Sequence, residues 1–234
     1  MLTVREIWRY PVKSISGERL ERAVLGGHGI EGDRQWGVRD ELTGLVLTAR
    51  REPRLLMATA RLVDRAPLIT TDDGTELPTS EALAAWLDRP VRLVAAADTT
   101  ATFENPLDVE AEDDWVTWQS QPGSFHDGRS TVSLVSFGSL GDHDPRRFRI
   151  NLVLDGDGED DLVDGNVTVG TVRLRIRTAI DRCVMVNRAQ PGVPADRAVL
   201  RRVIRERDNR MGVGAVVLMH GEVAVGDVVT PADG

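Results

Sequence analysis

Apolar and polar side chains alternate over residues 2–9, Leu-Thr-Val-Arg-Glu-Ile-Trp-Arg, as in a strand with one buried face. The same period predicts strands over 35–40 and 45–48, joined by Glu41-Leu42-Thr43-Gly44 as a hairpin. Further strands are predicted over 55–63, 67–71 and 91–97, with a turn at Asp72-Asp73-Gly74. One helix interrupts the series. Thr79 or Ser80 caps it, Leu83, Trp86 and Leu87 share one face, and Arg89-Pro90 ends it.

Residues 97–128 carry little periodicity and hold an acidic cluster, Glu110, Glu112, Asp113 and Asp114. They read as a loop-rich connection that divides the chain into a domain over 1–97 and another over 98–234. Beyond it, strands are predicted over 131–136, 148–154, 167–178 and 183–187. Asp196 is expected to cap a helix running to about Arg207, with Val199, Leu200, Val203 and Ile204 on its apolar face. Residues 213–219 and 222–229 read as a closing hairpin. The whole is a β-rich α+β chain. Periodicity alone leaves open whether its sheets close into barrels.

Composition narrows the class. At 234 residues, 41% hydrophobic and 28% charged, the chain can bury one large or two small cores. A net charge of -8 argues against a general nucleic-acid binder and leaves room for a local basic pocket. No apolar run approaches the length of a membrane span, and the first residues lack the zones of a signal peptide. The expectation is a cytoplasmic protein with neither a nucleic-acid nor a membrane partner. Cysteine occurs once, at Cys183, which excludes an intrachain disulfide and any multi-cysteine zinc or iron–sulfur site. Lysine also occurs once, at Lys13. His28, His126, His143 and His220 show no paired ligand spacing, and no P-loop, GxGxxG or GxSxG is present.

Four constellations carry candidate chemistry. Tyr10-Pro11-Val12-Lys13-Ser14, with Gly32-Asp33-Arg34, offers an ammonium, a hydroxyl and a guanidinium suited to a phosphate, or else an ordinary loop with a salt bridge. Ser136 and Ser139, beside Phe137, Gly138 and Leu140, place hydroxyls at a strand end, either as anion donors or as simple caps. In Arg147-Phe148-Arg149-Ile150-Asn151, alternation puts Arg149 and Asn151 on one strand face, toward a pocket or toward solvent. In Asp181-Arg182-Cys183 a cation beside the thiol favours thiolate while Asp181 opposes it.

In this order these segments resemble the MOSC (molybdenum cofactor sulfurase C-terminal) superfamily with its N-terminal β-barrel partner. Tyr10 to Ser14 is similar to Tyr-Pro-(Ile/Val)-Lys-Ser, and Gly29-Ile30-Glu31-Gly32-Asp33-Arg34-Gln35-Trp36 to Gly-(Leu/Ile)-x-Gly-Asp-Arg-x-Trp. Thr48-Ala49-Arg50 looks like the Thr-x-Arg segment, and Arg147 to Asn151 like Arg-Phe-Arg-Pro-Asn. Arg182-Cys183 follows, and Gly212-Val213-Gly214-Ala215 through Gly221, with Gly226-Asp227, resembles the terminal segment.

The resemblance implies an N-terminal β-barrel-like domain and a MOSC barrel with a few helices. It implies the molybdenum cofactor as ligand, with Cys183 as catalytic residue and protein ligand to the metal. Lys13, Ser14, Arg34, Arg149 and Asn151, with Ser136, Ser139 and Asp181, are the expected cofactor-binding positions. Three departures stand out. Ile180-Asp181 replaces a Cys-Ser pair, the segment from Gly141 to Pro145 is short, and an acidic-tryptophan pattern is missing from residues 155–164.

The leading expectation is an oxidoreductase that reduces small N-hydroxylated or N-oxide substrates. With one cysteine, its electrons come from a separate ferredoxin-like or flavoprotein-like partner. The alternatives are a sulfur carrier using a Cys183 persulfide, and a non-catalytic cofactor carrier. A pyridoxal phosphate enzyme using Lys13 is more remote.

Overall fold

The computed structural model describes residues 1–97, 100–107 and 114–232. Glu110, Glu112 and Asp113 of the acidic cluster lie outside the described residues. Seven strands close a barrel: β1 (Leu2–Arg9), β2 (Val132–Ser136), β3 (Leu152–Asp155), β4 (Asn166–Val169), β5 (Val172–Asp181), β6 (Arg210–Met219) and β7 (Val228–Ala232). Their order around the barrel is β1-β3-β2-β6-β5-β4-β7 and back to β1. Closure removes the free edges that an open sheet would leave.

All neighbours are antiparallel except β2 and β3. A parallel pair needs a crossover rather than a hairpin. Here the crossover carries a short helix (Phe137–Leu140) and a 3-10 turn (Pro145–Phe148), and it delivers Arg147, Arg149 and Asn151 to one mouth of the barrel. Val4, Ile7, Leu134, Leu152, Leu174 and Val213 fill the interior. In β1 the alternation slips between Val4 and Glu6, where the pairing with β3 shifts register.

The remaining N-terminal residues build small antiparallel sheets: Trp36–Asp40 with Val91–Ala95, and Ala58–Val63 with Ala66–Thr71 and Glu76–Leu77. Helix Ser80–Leu87, capped by the Thr79 side chain, seals their core through Leu83 and Leu87. No helix among the described residues is long and apolar enough to cross a membrane.

Several expected strands differ. Residues 53–57 form a 3-10 turn before Ala58–Val63, and 45–48 contribute one bridge, Val46 to Arg39. The connection read as loop contains a hairpin, Thr102–Pro106 with Trp115–Gln119. Residues 184–187 form a 3-10 turn that begins at Cys183. Gly221–Ala224 pairs with Arg22–Gly26 instead of turning back on β6. Arg149 and Asn151 do not share a strand face, because β3 begins only at Leu152 and Arg149 is left-handed (φ 52°).

Candidate functional site

Between the barrel mouth and the N-terminal sheets lies a cavity of about 560 Å³. Its walls come from the loop after β1, the segment around Arg34, residues 48–50, residues 126–133, the crossover, and the end of β5 with Cys183. The loop after β1 runs beside residues 34–36: Lys13 N–H donates to Trp36 O (2.8 Å), and Arg34 N–H donates to Tyr10 O (2.7 Å). Fully buried Asp33 accepts from Tyr10 N–H at 2.7 Å and pairs with the Arg34 guanidinium. Gly29 starts this motif at φ +88°, and any Cβ there would fall 2.1 Å from Thr131 O. Only glycine permits that approach.

Three lining residues, Ser14, Arg34 and Arg149, have left-handed backbones (φ 68°, 51° and 52°). Each conformation costs free energy that the surrounding contacts must supply. Arg34 donates to Arg149 O (2.9 Å), Arg149 donates to Ile15 O (2.5 Å), and both guanidiniums lie against the Tyr10 ring. Lys13 is buried; its ammonium pairs with Asp127, donates to Phe125 O (3.2 Å) and sits 4.0 Å from the centre of the Phe103 ring.

Cys183 stands at the N-terminal end of the 184–187 turn, makes no side-chain capping bond to it, and is half-buried. Its Sγ accepts a hydrogen bond from Arg50 Nη2 at 2.9 Å, while Arg50 Nη1 is held by Asn105. The neighbouring Arg182 points inward and donates to Met211 O (2.9 Å) and Phe148 O (2.9 Å).

The electrostatics are lopsided. Seven cationic side chains line the cavity (Lys13, Arg34, Arg50, Arg129, Arg147, Arg149, Arg182) against two carboxylates, Asp127 and Asp181. The chain as a whole carries -8. Burial lowers the pKa of Lys13, with Asp127 partly offsetting it. Burial brings Arg149 and Arg182 down to about 10, Arg149 with a further push from Arg34. Both remain charged at neutral pH. His126, buried beside Arg34 and Lys13, is brought down to about 4 chiefly by desolvation, so its imidazole is neutral. Three buried polar atoms of lining residues, Arg50 Nε, His126 Nε2 and Thr131 Oγ1, have no hydrogen-bond partner. Buried polar groups are rarely left unsatisfied. The cavity therefore suits a polar anion that also reaches a thiol.

Of the expected site residues, Lys13, Ser14, Arg34, Arg149, Asn151, Asp181 and Cys183 all line this cavity. Ser136 and Ser139 do not. Their hydroxyls both donate to buried Glu159, and Ser136 caps the Phe137–Leu140 helix. Ser14 Oγ accepts from Ala49 N–H at 3.0 Å. The Asn151 amide accepts from Ser133 N–H (3.1 Å) and Oγ (3.0 Å) and donates to Trp8 O (3.2 Å), so it ties three barrel strands together. Sequence reasoning assigned no role to Arg50, His126, Asp127 or Arg147. Arg50 stood in the Thr48-Ala49-Arg50 segment, whereas nothing in the sequence marked His126 or Asp127.

Two family models match the chain: the MOSC N-terminal beta barrel domain over residues 1–118 and the MOSC domain over residues 108–230. A molybdenum cofactor sulfurase from Drosophila grimshawi is 24% identical over 94% of this chain and 33% of its own length. The mitochondrial amidoxime-reducing component 1 of Homo sapiens is 25% identical over 78% of this chain and 65% of its own length. The chain thus spans less than two thirds of either relative. Among solved structures, the YUAD protein from Bacillus subtilis is similar with a TM-score of 0.48 at 13% identity, covering 98% of this chain and 94% of that one.

Proposed function

The chain belongs to the MOSC family, and from that premise we propose that its cationic cavity holds the molybdenum cofactor and serves a reductase of N-hydroxylated or N-oxide substrates. The observation that carries this reading is seven cations and a free thiol around one cavity, in a chain of net charge -8. The unpartnered Arg50 Nε, His126 Nε2 and Thr131 Oγ1 fit a group rich in acceptor and donor atoms. Lys13, Arg34 and Arg149 would hold its phosphate. Cys183 would provide the one protein ligand to the metal. Among the described residues no three His, Cys, Asp or Glu side chains converge on a metal site, and the pterin would supply further ligands of its own.

When bound, the cofactor supplies two-electron oxygen-atom transfer. The net reaction takes two electrons and two protons, converts N–OH to N–H and releases water. The protein's own residues position the reactants. Arg50 orients the Cys183 sulfur, and Asn105 orients Arg50. Asp181, exposed at the rim and 3.8 Å from Arg210 Nε, flanks the approach to the thiol. Electrons come from a separate carrier protein.

The test is molybdenum and released pterin, measured on protein made in a cofactor-producing host, for wild type and Cys183→Ala. Stoichiometric metal and pterin in the wild type, with metal lost in the variant, supports the reading and leads to an assay with benzamidoxime. Cofactor without turnover points to a carrier instead. The relative named a molybdenum cofactor sulfurase matches 94% of the chain, which gives the sulfur-carrier reading its own footing. That reading wins if purified protein holds neither metal nor pterin but acquires a persulfide on Cys183 from a cysteine desulfurase.

A further inference from the structure

The helix Ala198–Arg207 is apolar on one face and arginine-rich on the other. Val199, Leu200 and Val203 are buried against the barrel, while Arg201, Arg202 and Arg205 are exposed, with Arg197 exposed just before the helix. Within the helix stand four arginines and one glutamate. Arg205 pairs with Glu206, and Arg207 pairs with Asp160. Among the described residues Arg197, Arg201 and Arg202 form no ion pair. Three unpaired arginines close together concentrate positive charge on a chain whose net charge is -8, and they attract a counter-charge from outside.

The helix is also coupled to the site. Leu200 N–H donates to Asn187 Oδ1 at 2.9 Å, and Asp196 N–H donates to Asn187 O at 2.9 Å. Asn187 ends the 3-10 turn that Cys183 begins. A partner seated on the exposed arginines is therefore one helix away from the turn that carries the thiol.

We infer that this helix is the docking surface for a small acidic protein, the electron carrier that the proposed reductase requires. The inference rests on that reading for the partner's role, and on charge and position for the surface. An overall acidic chain disfavours an acidic partner away from its cationic regions, so a patch on this helix selects the orientation of docking as well as the partner. A small acidic protein covers little beyond the patch, whereas a nucleic acid or an anionic membrane extends past it onto the acidic remainder of the surface, so both fit less well.

The experiment uses the full chain and a plant-type [2Fe–2S] ferredoxin as the acidic probe, with binding measured calorimetrically at 10 mM and 200 mM NaCl. The wild type is expected to bind at low salt and to weaken at least about tenfold at 200 mM. Arg201→Glu/Arg202→Glu/Arg205→Glu is expected to weaken low-salt binding by a further tenfold or more. Arg22→Glu/Arg61→Glu/Arg65→Glu, which reverses three exposed arginines elsewhere, leaves it within about twofold. Circular dichroism checks that both variants fold. Equal effects of the two triples, or no binding by the wild type, overturns the inference. So does tighter binding to vesicles of phosphatidylcholine with 30% phosphatidylserine that the helix variant abolishes. Binding is read without turnover, so a failure here is separate from a protein that holds no molybdenum.

Discussion

Replacing His126 by glutamine tests whether the cavity wall is as dry and as positive as it is drawn. The imidazole faces Lys13, Arg34, Asp33 and Asp127, and desolvation with the nearby cations brings its pKa from 6.5 to about 4. A histidine depressed in this way makes the unfolded state the better proton binder between the two values, so stability rises with pH there and falls on acidification. Over the whole interval the effect is about 3 kcal/mol, at ~1.4 kcal/mol per pKa unit. Between pH 7 and pH 5 the unfolded imidazole goes from about one quarter to nearly fully protonated while the folded one stays neutral, which costs about 2 kcal/mol.

Urea unfolding at pH 7 and pH 5, on protein without cofactor, reads this out. With slopes of ~1–3 kcal/mol per molar, the wild-type midpoint should drop by roughly 0.7–2 M. His143 is also depressed, mainly by burial, so it adds to the wild-type slope. The carboxylates that are held low, such as Asp40 and Asp144, lose their contribution only nearer pH 4 and below. The decisive quantity is therefore the difference between profiles. His126→Gln should recover about 2 kcal/mol of the loss between pH 7 and 5. Parallel profiles for variant and wild type would show that His126 is hydrated or ion-paired, and the account of the cavity would fail.

Two further substitutions separate framework from ligand contacts. Asn151→Leu strips the acceptor from Ser133 and the donor from Trp8 O, and should cost about 2–4 kcal/mol in urea unfolding. Unchanged stability with loss of pterin would instead assign the amide to the cofactor. Ser136→Ala and Ser139→Ala each remove a hydroxyl from Glu159 and should cost about 1 kcal/mol without changing pterin content. A fall in pterin content with stability intact would return these serines to the site.

Where a segment has one buried and one solvated face, its pattern was readable. β1 and the helix Ser80–Leu87 fall where alternation and the Thr79 cap place them. The hairpin Thr102–Pro106 with Trp115–Gln119 escaped because Val116 and Trp118 are exposed, so no apolar face repeats. Residues 184–187 misled in the opposite way. Val-Met-Val packs against the Ala198–Arg207 helix and the crossover, and a short apolar run does not distinguish a strand from a tight turn. The partner of Gly221–Ala224 is nearly two hundred residues away, at Arg22–Gly26, and local pattern carries no such information. The site was legible in the same uneven way. Lys13, Arg34 and Cys183 stood in segments resembling a known family, whereas His126 is a single imidazole in an unpatterned stretch.

The cavity's positive potential has a structural cause that residue counts do not show. An arginine paired with a carboxylate is neutralised where it stands. Several arginines around this cavity instead spend their donors on main-chain carbonyls: Arg34 on Arg149, Arg149 on Ile15, Arg147 on Val186, and Arg182 on Phe148 and Met211. Each tether fixes the geometry between segments far apart in sequence, and apart from the Arg34 pair with Asp33 none uses up the charge. The result is several buried, largely uncompensated guanidiniums, whose desolvation is what lowers Arg149 and Arg182. Such an arrangement is expensive while empty and is relieved by an anion, so ligand binding and folding stability are linked. Inorganic pyrophosphate, an anion without pterin or metal, should therefore raise the unfolding midpoint of the wild type. The gain should shrink on replacing Arg149, whose guanidinium both holds the loop after β1 and supplies charge.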